Sequence, residues 1–277
     1  MKLVKLIIAL AFLPVFSANA QIITLNLPKD TKYEVTTVTK VTSVASIMGQ
    51  EMESGTDMTI TESVKIKDKR AKETDLVKTA TKIVSNIQAM GQDMSYDSDK
   101  KDNTGETAET FDKMIGKQKN ITVDTYGKIL KQDKDEEEST AIAMMGTSGS
   151  ESLGFISNSF IGREVKPGTT WFDSTTNKGD KMTTTTTGNY TVQAVNDGTA
   201  TIVFAGTTNL SGTMEQMGQE MSMTSTSKVT SQYEVDIATG LIKKSTQTTD
   251  GTVTIEAGGM SIPATSKSTI TMTAKQL

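Results

Sequence analysis

The chain has 277 residues and a formal charge of −4; 35% of its residues are hydrophobic, only 5% are aromatic, and it contains neither His nor Cys. Without these two residues the usual general base, thiol nucleophile and zinc ligands are missing, and no Ser or acid stands in an elbow motif, so the expectation is a protein that is not an enzyme and carries no cofactor. Mild acidity without a basic patch argues against nucleic acid, and no polybasic segment addresses an anionic membrane surface.

Residues 1–20 read as a signal peptide. Lys2 and Lys5 supply a basic start, Leu6 to Phe16 an apolar core, and Ala18-Asn19-Ala20 a small-residue cleavage site. Its removal takes the formal charge from −4 to −6. No later stretch is apolar enough to span a bilayer as a helix. A cysteine-free exported chain fits a bacterial periplasmic or secreted setting.

The mature chain is organised around a phrase that occurs three times: MGQEM at Met48–Met52, MGQDM at Met90–Met94 and MGQEM at Met217–Met221. Each copy lies between long runs rich in Thr, Val and Ile, which suit pleated, half-buried strands. A Gly followed by a polar residue fits a two-residue type II′ hairpin turn with Gly in the first central position. That register sets Met48 opposite Glu51 and Tyr33 opposite Ile66. In the third copy it sets Met214 opposite Met223, Phe204 opposite Tyr233 and Ile202 opposite Val235. One face then collects the apolar side chains, as burial requires.

In chain order, Ile22–Leu27 reads as a short strand. Lys32–Met48 pairs with Met52–Lys67, and Leu76–Met90 is followed by Asp93–Lys100. Between Asn103 and Gln118 the alternation breaks. Asn103 and Glu106 fit a capping box, and Phe111, Met114 and Ile115 fall on one helical stripe. Residues 120–132 form another hairpin, about Tyr126-Gly127. Leu153, Ile156, Phe160 and Ile161 could line a second short helix. The second set of strands opens at Lys166-Pro-Gly-Thr-Thr-Trp171 and has turn signals at Asp197-Gly198, Thr239-Gly240, Asp250-Gly251 and Gly258-Gly259.

VKIKDK (64–69) and VQAVND (192–197) precede their phrases by similar distances, and Val123-Asp124…Gly127 matches Val235-Asp236…Gly240. The division is therefore 21–138 as a first β-rich half, 139–165 as a linker with a short helix, and 166–277 as a second β-rich half. The fold class is mostly all-β: a long curved antiparallel sheet or open half-barrel from two tandem related halves, with one or two short helices.

The signal peptide, the VKPGTTW entry and the YEVDIATG strand-turn (Tyr233–Gly240) resemble an uncharacterised family of secreted Bacteroidota proteins, a domain of unknown function. At the level of fold the chain is also similar to the open half-barrels of periplasmic lipoprotein carriers, which implies helices covering a concave apolar sheet.

The functional expectation is an exported β-rich binding protein that could hold a lipid or other apolar small molecule on a concave sheet face; the sequence leaves any protein partner open. Its apolar face comprises Met58, Ile60, Phe111, Met114, Ile115, Ile202, Phe204, Met214, Met223 and Tyr233. The alternative is a structural or interaction module of the cell envelope with no small ligand. A lesser alternative is Cu(I) binding by Met thioethers alone, through pairs such as Met214 with Met223. The acids at Asp97, Asp99 and Asp102 read as a solvated turn, not a calcium loop, and Trp171 reads as a core anchor.

Overall fold

The computed structural model describes residues 21–47, 49–89, 91–133, 153–179, 181–216 and 219–277. Among the described residues, the Thr-, Val- and Ile-rich runs form fourteen strands. They are β1 Gln21–Ile22, β2 Lys32–Ile47, β3 Gln50–Lys69, β4 Glu73–Ala89, β5 Gln92–Asp97, β6 Gln118–Asp124 and β7 Ile129–Gln132, then β8 Glu164–Val165, β9 Thr170–Lys178, β10 Met182–Asn196, β11 Thr199–Gln216, β12 Gln219–Asp236, β13 Ile242–Ala257 and β14 Met260–Gln276. One helix lies among the described residues, α1 Glu106–Met114. Twelve strands make a single antiparallel sheet in the order β7-β6-β4-β3-β2-β14-β13-β12-β11-β10-β9, with β5 also paired to β4; β1 and β8 pair separately. The sheet is not closed into a barrel.

The sheet is nevertheless strongly curled. Eleven strands laid flat would hold their edges about 48 Å apart, at ~4.8 Å per spacing. Yet one short segment touches both ends. An added Cβ on Gly127, in the β6–β7 turn, would meet Ile156 Cγ2 at 2.6 Å. Three residues on, Ser159 Oγ donates to Asp173 Oδ2 of β9 at 2.5 Å, and Phe160 packs edge-on against Trp171. Three residues span at most ~11 Å. One face of the sheet is therefore a concave inner wall.

Residues 153–165 together with Ile23–Leu27 form a plug across one end of this wall. The two segments bond to each other, Ile23 N to Arg163 O at 3.0 Å and Gly162 N to Ile23 O at 2.8 Å. Ile23, Phe155 and Phe160 are completely buried against Tyr33, Val64, Val123, Ile202 and Val235 of the wall. Of the expected Ile22–Leu27 strand only Ile22 is ladder-paired; the rest is irregular chain whose apolar side chains point into the core. Likewise, Leu153–Ile161 forms turns, not a helix. Gly154 sits at φ 71, and short turn bonds run from Phe155 N to Leu153 O and from Phe160 N to Ser157 O. Burial drives this segment onto the wall without any helical period. The rest of the expected linker, 139–152, lies outside the described residues.

The MGQ hairpins close one position earlier than the phrase suggests. Ile47 pairs with Gln50, Ala89 with Gln92, and Gln216 with Gln219. Gly49 and Gly91, at φ 81 and 75, are thus the second central residues of their turns, the place glycine takes in Asn-Gly-type hairpins. Gly218 lies outside the described residues. The pairing slides by two residues: Tyr33 faces Val64, Phe204 faces Ser231, Ile202 faces Tyr233 and Met214 faces Met221. Because the slide is even, every side chain keeps its face.

Two further expectations are corrected. Asp250-Gly251 is not a turn but the middle of β13, where Gly251 stands opposite Ser227 and Ser266. Asn103 does not cap α1, whose N-cap is Gly105. Its amide instead closes the preceding loop, accepting from Asp97 N and donating to Asp97 O and Lys100 O.

Candidate functional site

Every strand of the large sheet alternates between the inner wall and a polar exterior, so the ladders can be followed as rows around the wall. Nearest the plug, Trp171, Tyr190, Phe204 and Ser231 lie side by side on β9 to β12. Phe160 rises from the plug into this group, with ring centroids 5.3 Å from Tyr190 and 5.0 Å from Tyr233. Burial pushes the hydroxyls of Tyr190 and Tyr233 above their ordinary pKa, so both are neutral hydrogen-bonding groups at physiological pH. Trp171 packs against this core as anchor, with the Arg163 guanidinium 5.6 Å from its ring centre.

A second core lies on the same face across β3 to β5. Phe111 and Met114 of α1 are buried against Met58, Ile83 and Tyr96, and Ile60 and Ile115 border them. The Tyr96 hydroxyl donates to Asp112 Oδ1 at 2.7 Å and pins α1 to the wall; burial, then this bond, raises its pKa. The helix packs directly on the sheet with its own side chains. Charge on this face occurs toward the plug, where Lys78 Nζ and Glu62 Oε1 are 2.9 Å apart and largely buried and Asp173 of β9 accepts from Ser159 Oγ.

The sequence-predicted face therefore divides into three places. Met58, Ile60, Phe111, Met114 and Ile115 belong to the core under α1. Ile202 and Tyr233 pack in the core at the plug, and Phe204 is buried beside them. Met214 and Met223 lie farther along the same wall, toward the hairpin ends. Met58, Ile60, Ile202, Phe204, Met223 and Tyr233 share the inner side by register, and Phe111 and Met114 pack onto it from α1.

What sequence reasoning missed is the open part of the wall. Toward the hairpin ends one row runs Leu210, Ser225, Val253, Ala264, Ala45, Met52, and the next runs Met182, Gly212, Met223, Ile255, Ile262. Met214, Met221, Ala257 and Met260 follow in the last. Neither core reaches these rows. Met182, Leu210, Met221, Met223, Val253, Ile255 and Ile262 are all partly exposed. The signal was in the sequence as alternation, strand by strand; only the joined register shows that the stripes form one surface.

The exterior at this height is polar, with Thr226, Thr252 and Thr265 opposite one another on β12, β13 and β14. Nearer the plug it is charged, with Lys228, Asp250 and Lys267 in one row and Lys40 3.7 Å from Asp57. A wall apolar within and polar without is the inverse of a membrane-spanning barrel, whose outer band is apolar. No helix among the described residues is long and apolar enough to cross a membrane. The loop acids are held by lysines, Asp99 with Lys82 and Asp97 with Lys100. Among the described residues no cluster of three acids could hold a metal ion. A shallow depression of about 470 Å³ on Thr213, Ser222, Glu256 and the Gly258-Gly259 turn opens by the last hairpin, away from the predicted face.

Fold and site together define an open antiparallel β-cup, plugged at one end and apolar along its free inner wall. Residues 132–242 match a family of unknown function, DUF6263. No curated protein matches the chain. Among solved structures it is similar to an outer membrane channel from Pseudomonas putida F1, at 8% identity over 91% of this chain and 97% of that one with a TM-score of 0.26. Salmonella typhi OmpF in complex with daunomycin is 5% identical over 89% and 99%, with a TM-score of 0.29. Pseudomonas aeruginosa OpdQ is 7% identical over 90% and 100%, with a TM-score of 0.23. Scores of this size do not establish a common fold.

Proposed function

We propose that this is an exported, non-enzymatic binding protein that holds a lipid or other apolar molecule on the inner wall of its β-cup. The observation that carries this reading is the free stretch of wall beyond the two cores, where Met182, Leu210, Met221, Met223, Val253, Ile255 and Ile262 present a concave, partly exposed apolar surface. A contiguous apolar surface of this kind marks a binding site more often than idle exterior. Flexible Met side chains also suit ligands of variable shape. Export is supported by the signal-like residues 1–20.

Native mass spectrometry of gently purified mature protein tests the reading. An apolar adduct of defined mass is expected, and a clean apo mass from cells, followed by no uptake of added lipid, would sink it. The second reading, an envelope interaction module without a small ligand, is favoured by one observation: Phe111 and Met114 of α1 are buried directly against Met58 and Ile83 of the sheet. Cu(I) binding by Met has weaker support, since Met223 stands opposite Gly212 and not Met214. A Cu(I) competition titration without micromolar binding removes it.

A further inference from the structure

Between the plugged core and the apolar mouth, one complete row of the inner wall is built from small hydroxyl residues. It runs Thr175, Thr186, Thr208, Ser227, Gly251, Ser266, Ser43, Ser54 across eight consecutive strands, each residue opposite the next. Thr186 and Thr208 share a hydrogen bond at 2.8 Å, and Ser43 Oγ donates to Ser266 Oγ at 3.1 Å. A hydroxyl has one donor and two acceptor positions, so each of these groups keeps unused capacity after bonding its neighbour. Gly251 cannot be filled, because a Cβ there would lie 2.6 Å from the backbone Cα of Ser227. The row is thus narrow in side-chain volume, polar, and uncharged.

The rows between it and the hairpin ends are uncharged as well. Asn177, Thr184, Leu210, Ser225, Val253, Ala264, Ala45 and Met52 form the next, and Met182, Gly212, Met223, Ile255 and Ile262 the one after. The same strands carry Lys228, Asp250 and Lys267 one residue away from the hydroxyl row, all on the exterior. The nearest charge on the inner wall is Asp173, one row toward the plug on β9, whose carboxylate already accepts from Ser159 Oγ. A ligand carboxylate or phosphate seated on the hydroxyl row would leave water with no cation in these rows to meet it, and an ammonium would find only that engaged carboxylate. A neutral hydroxyl, ester or amide would find hydroxyl partners.

We propose that the ligand is an uncharged amphiphile. Its neutral polar group sits on the hydroxyl row, and its hydrocarbon runs along the Met-rich rows toward the hairpin ends, a height of about 20 Å from Ser227 to Met221 at ~3.4 Å per residue. The proposal rests on the reading above that the inner wall binds an apolar molecule, and it adds the polarity and charge of that molecule.

The test is competition binding to mature protein with three single-chain probes of equal chain length below their micellar concentrations. These are a monoacylglycerol, an alkyl sulfate and an alkyltrimethylammonium. The monoacylglycerol is expected to bind at least tenfold more tightly than either ion. An ionic probe that binds equally or better overturns the proposal while leaving an apolar site in place. If none of the three binds, nor an uncharged alkane probe, the binding reading itself fails and the proposal falls with it. The double variant Thr186→Val, Thr208→Val removes both members of one hydroxyl pair and keeps β-branched residues that favour the strand. It should lose monoacylglycerol affinity at least fivefold and retain the alkane probe; unchanged affinity for both refutes a role for the row.

Discussion

Replacing Phe160 by Ala tests whether the plug holds the sheet in its curl. Phe160 is fully buried and lies edge-on to Trp171, Tyr190 and Tyr233, three residues of strands near one edge of the sheet. Its neighbours Ile156 and Ile161 meet Gly127 at the opposite edge. Truncating a buried Phe costs about 3–5 kcal/mol through lost transfer energy and the cavity left behind. Three aromatic contacts place this site toward the upper end, about 4–5 kcal/mol. Urea unfolding followed by the fluorescence of Trp171, the only Trp, reads the change directly. With a urea slope of about 3 kcal/mol/M the midpoint should fall by about 1.5 M. Amide exchange should meanwhile accelerate along β9 and β7 before it does in β2 and β14. Phe172→Ala is the control: next to Trp171 on β9 but on the exterior and 64% exposed, it should change stability by about 0.5 kcal/mol or less. Equal effects from the two variants, or unchanged exchange at the edges, would refute the stapled-edge account.

Three other changes have defined outcomes. Gly49→Val places a β-branched side chain at φ 81 and should lower stability by at least about 1 kcal/mol, a melting shift of a few degrees, whereas Gln50→Ala at the exposed strand start should be almost silent. Burial raises the Asp236 carboxyl, but bonds from Lys243 and from the Thr239 hydroxyl and amide outweigh it and hold its pKa below the usual 3.8. Its stabilisation is therefore full above pH 3.8 and is lost as pH falls through the depressed value, so the melting-point gap between wild type and Asp236→Asn should close in acid. Lys78→Met should be tolerated better when combined with Glu62→Leu than alone, because the single change leaves a largely buried carboxylate without its 2.9 Å partner; equal melting points for the single and double variants would contradict this.

The period-two alternation was legible wherever one face is buried, and so most of the long strands and the side on which Ile202, Phe204 and Tyr233 lie could be read from residues alone; Asp250-Gly251, a turn signal in the middle of β13, could not. Turn position was not. A single Gly in each MGQ phrase satisfies either central site of a two-residue loop, and an even slide leaves the burial pattern unchanged, so nothing in hydrophobicity separates Tyr33–Val64 from Tyr33–Ile66. The plug was illegible for a different reason. Leu153, Phe155, Ile156, Phe160 and Ile161 have no period because they bury against a surface of many strands, each finding its own hole. The alternation itself is blind to lateral neighbours: Thr208 and Ser266 lie 58 residues apart and belong to one row only once β11 through β14 are laid side by side.

Curvature gives the final prediction, in which two glycine replacements have opposite signs. Gly206 of β11 faces Gly188 of β10 on the inner wall, and the Phe204 ring covers the pair. A Cβ on Gly206 would lie 2.2 Å from Thr187 O, 2.6 Å from Phe204 Cζ and 2.9 Å from Gly188 Cα. Two of these are backbone atoms that cannot give way without parting the strands where the sheet bends. Glycine in a strand interior commonly marks such close approach, and an aromatic neighbour then covers the exposed backbone. Gly55 of β3 is on the exterior face; a Cβ there meets only Val41 O, at 3.8 Å, an ordinary contact. Glycine in a strand costs about 0.5–1 kcal/mol in chain entropy relative to Ala, and Thr is a better strand former still. Gly55→Thr should therefore stabilise by up to about 1 kcal/mol, while Gly206→Thr should destabilise by about 2 kcal/mol or more despite the same gain in propensity. Parallel urea titrations of the two variants decide it. Stabilisation by both would mean that the β10–β11 ladder has slack at Gly188–Gly206, and that the inner wall is not bent there as tightly as the Phe204 contact requires.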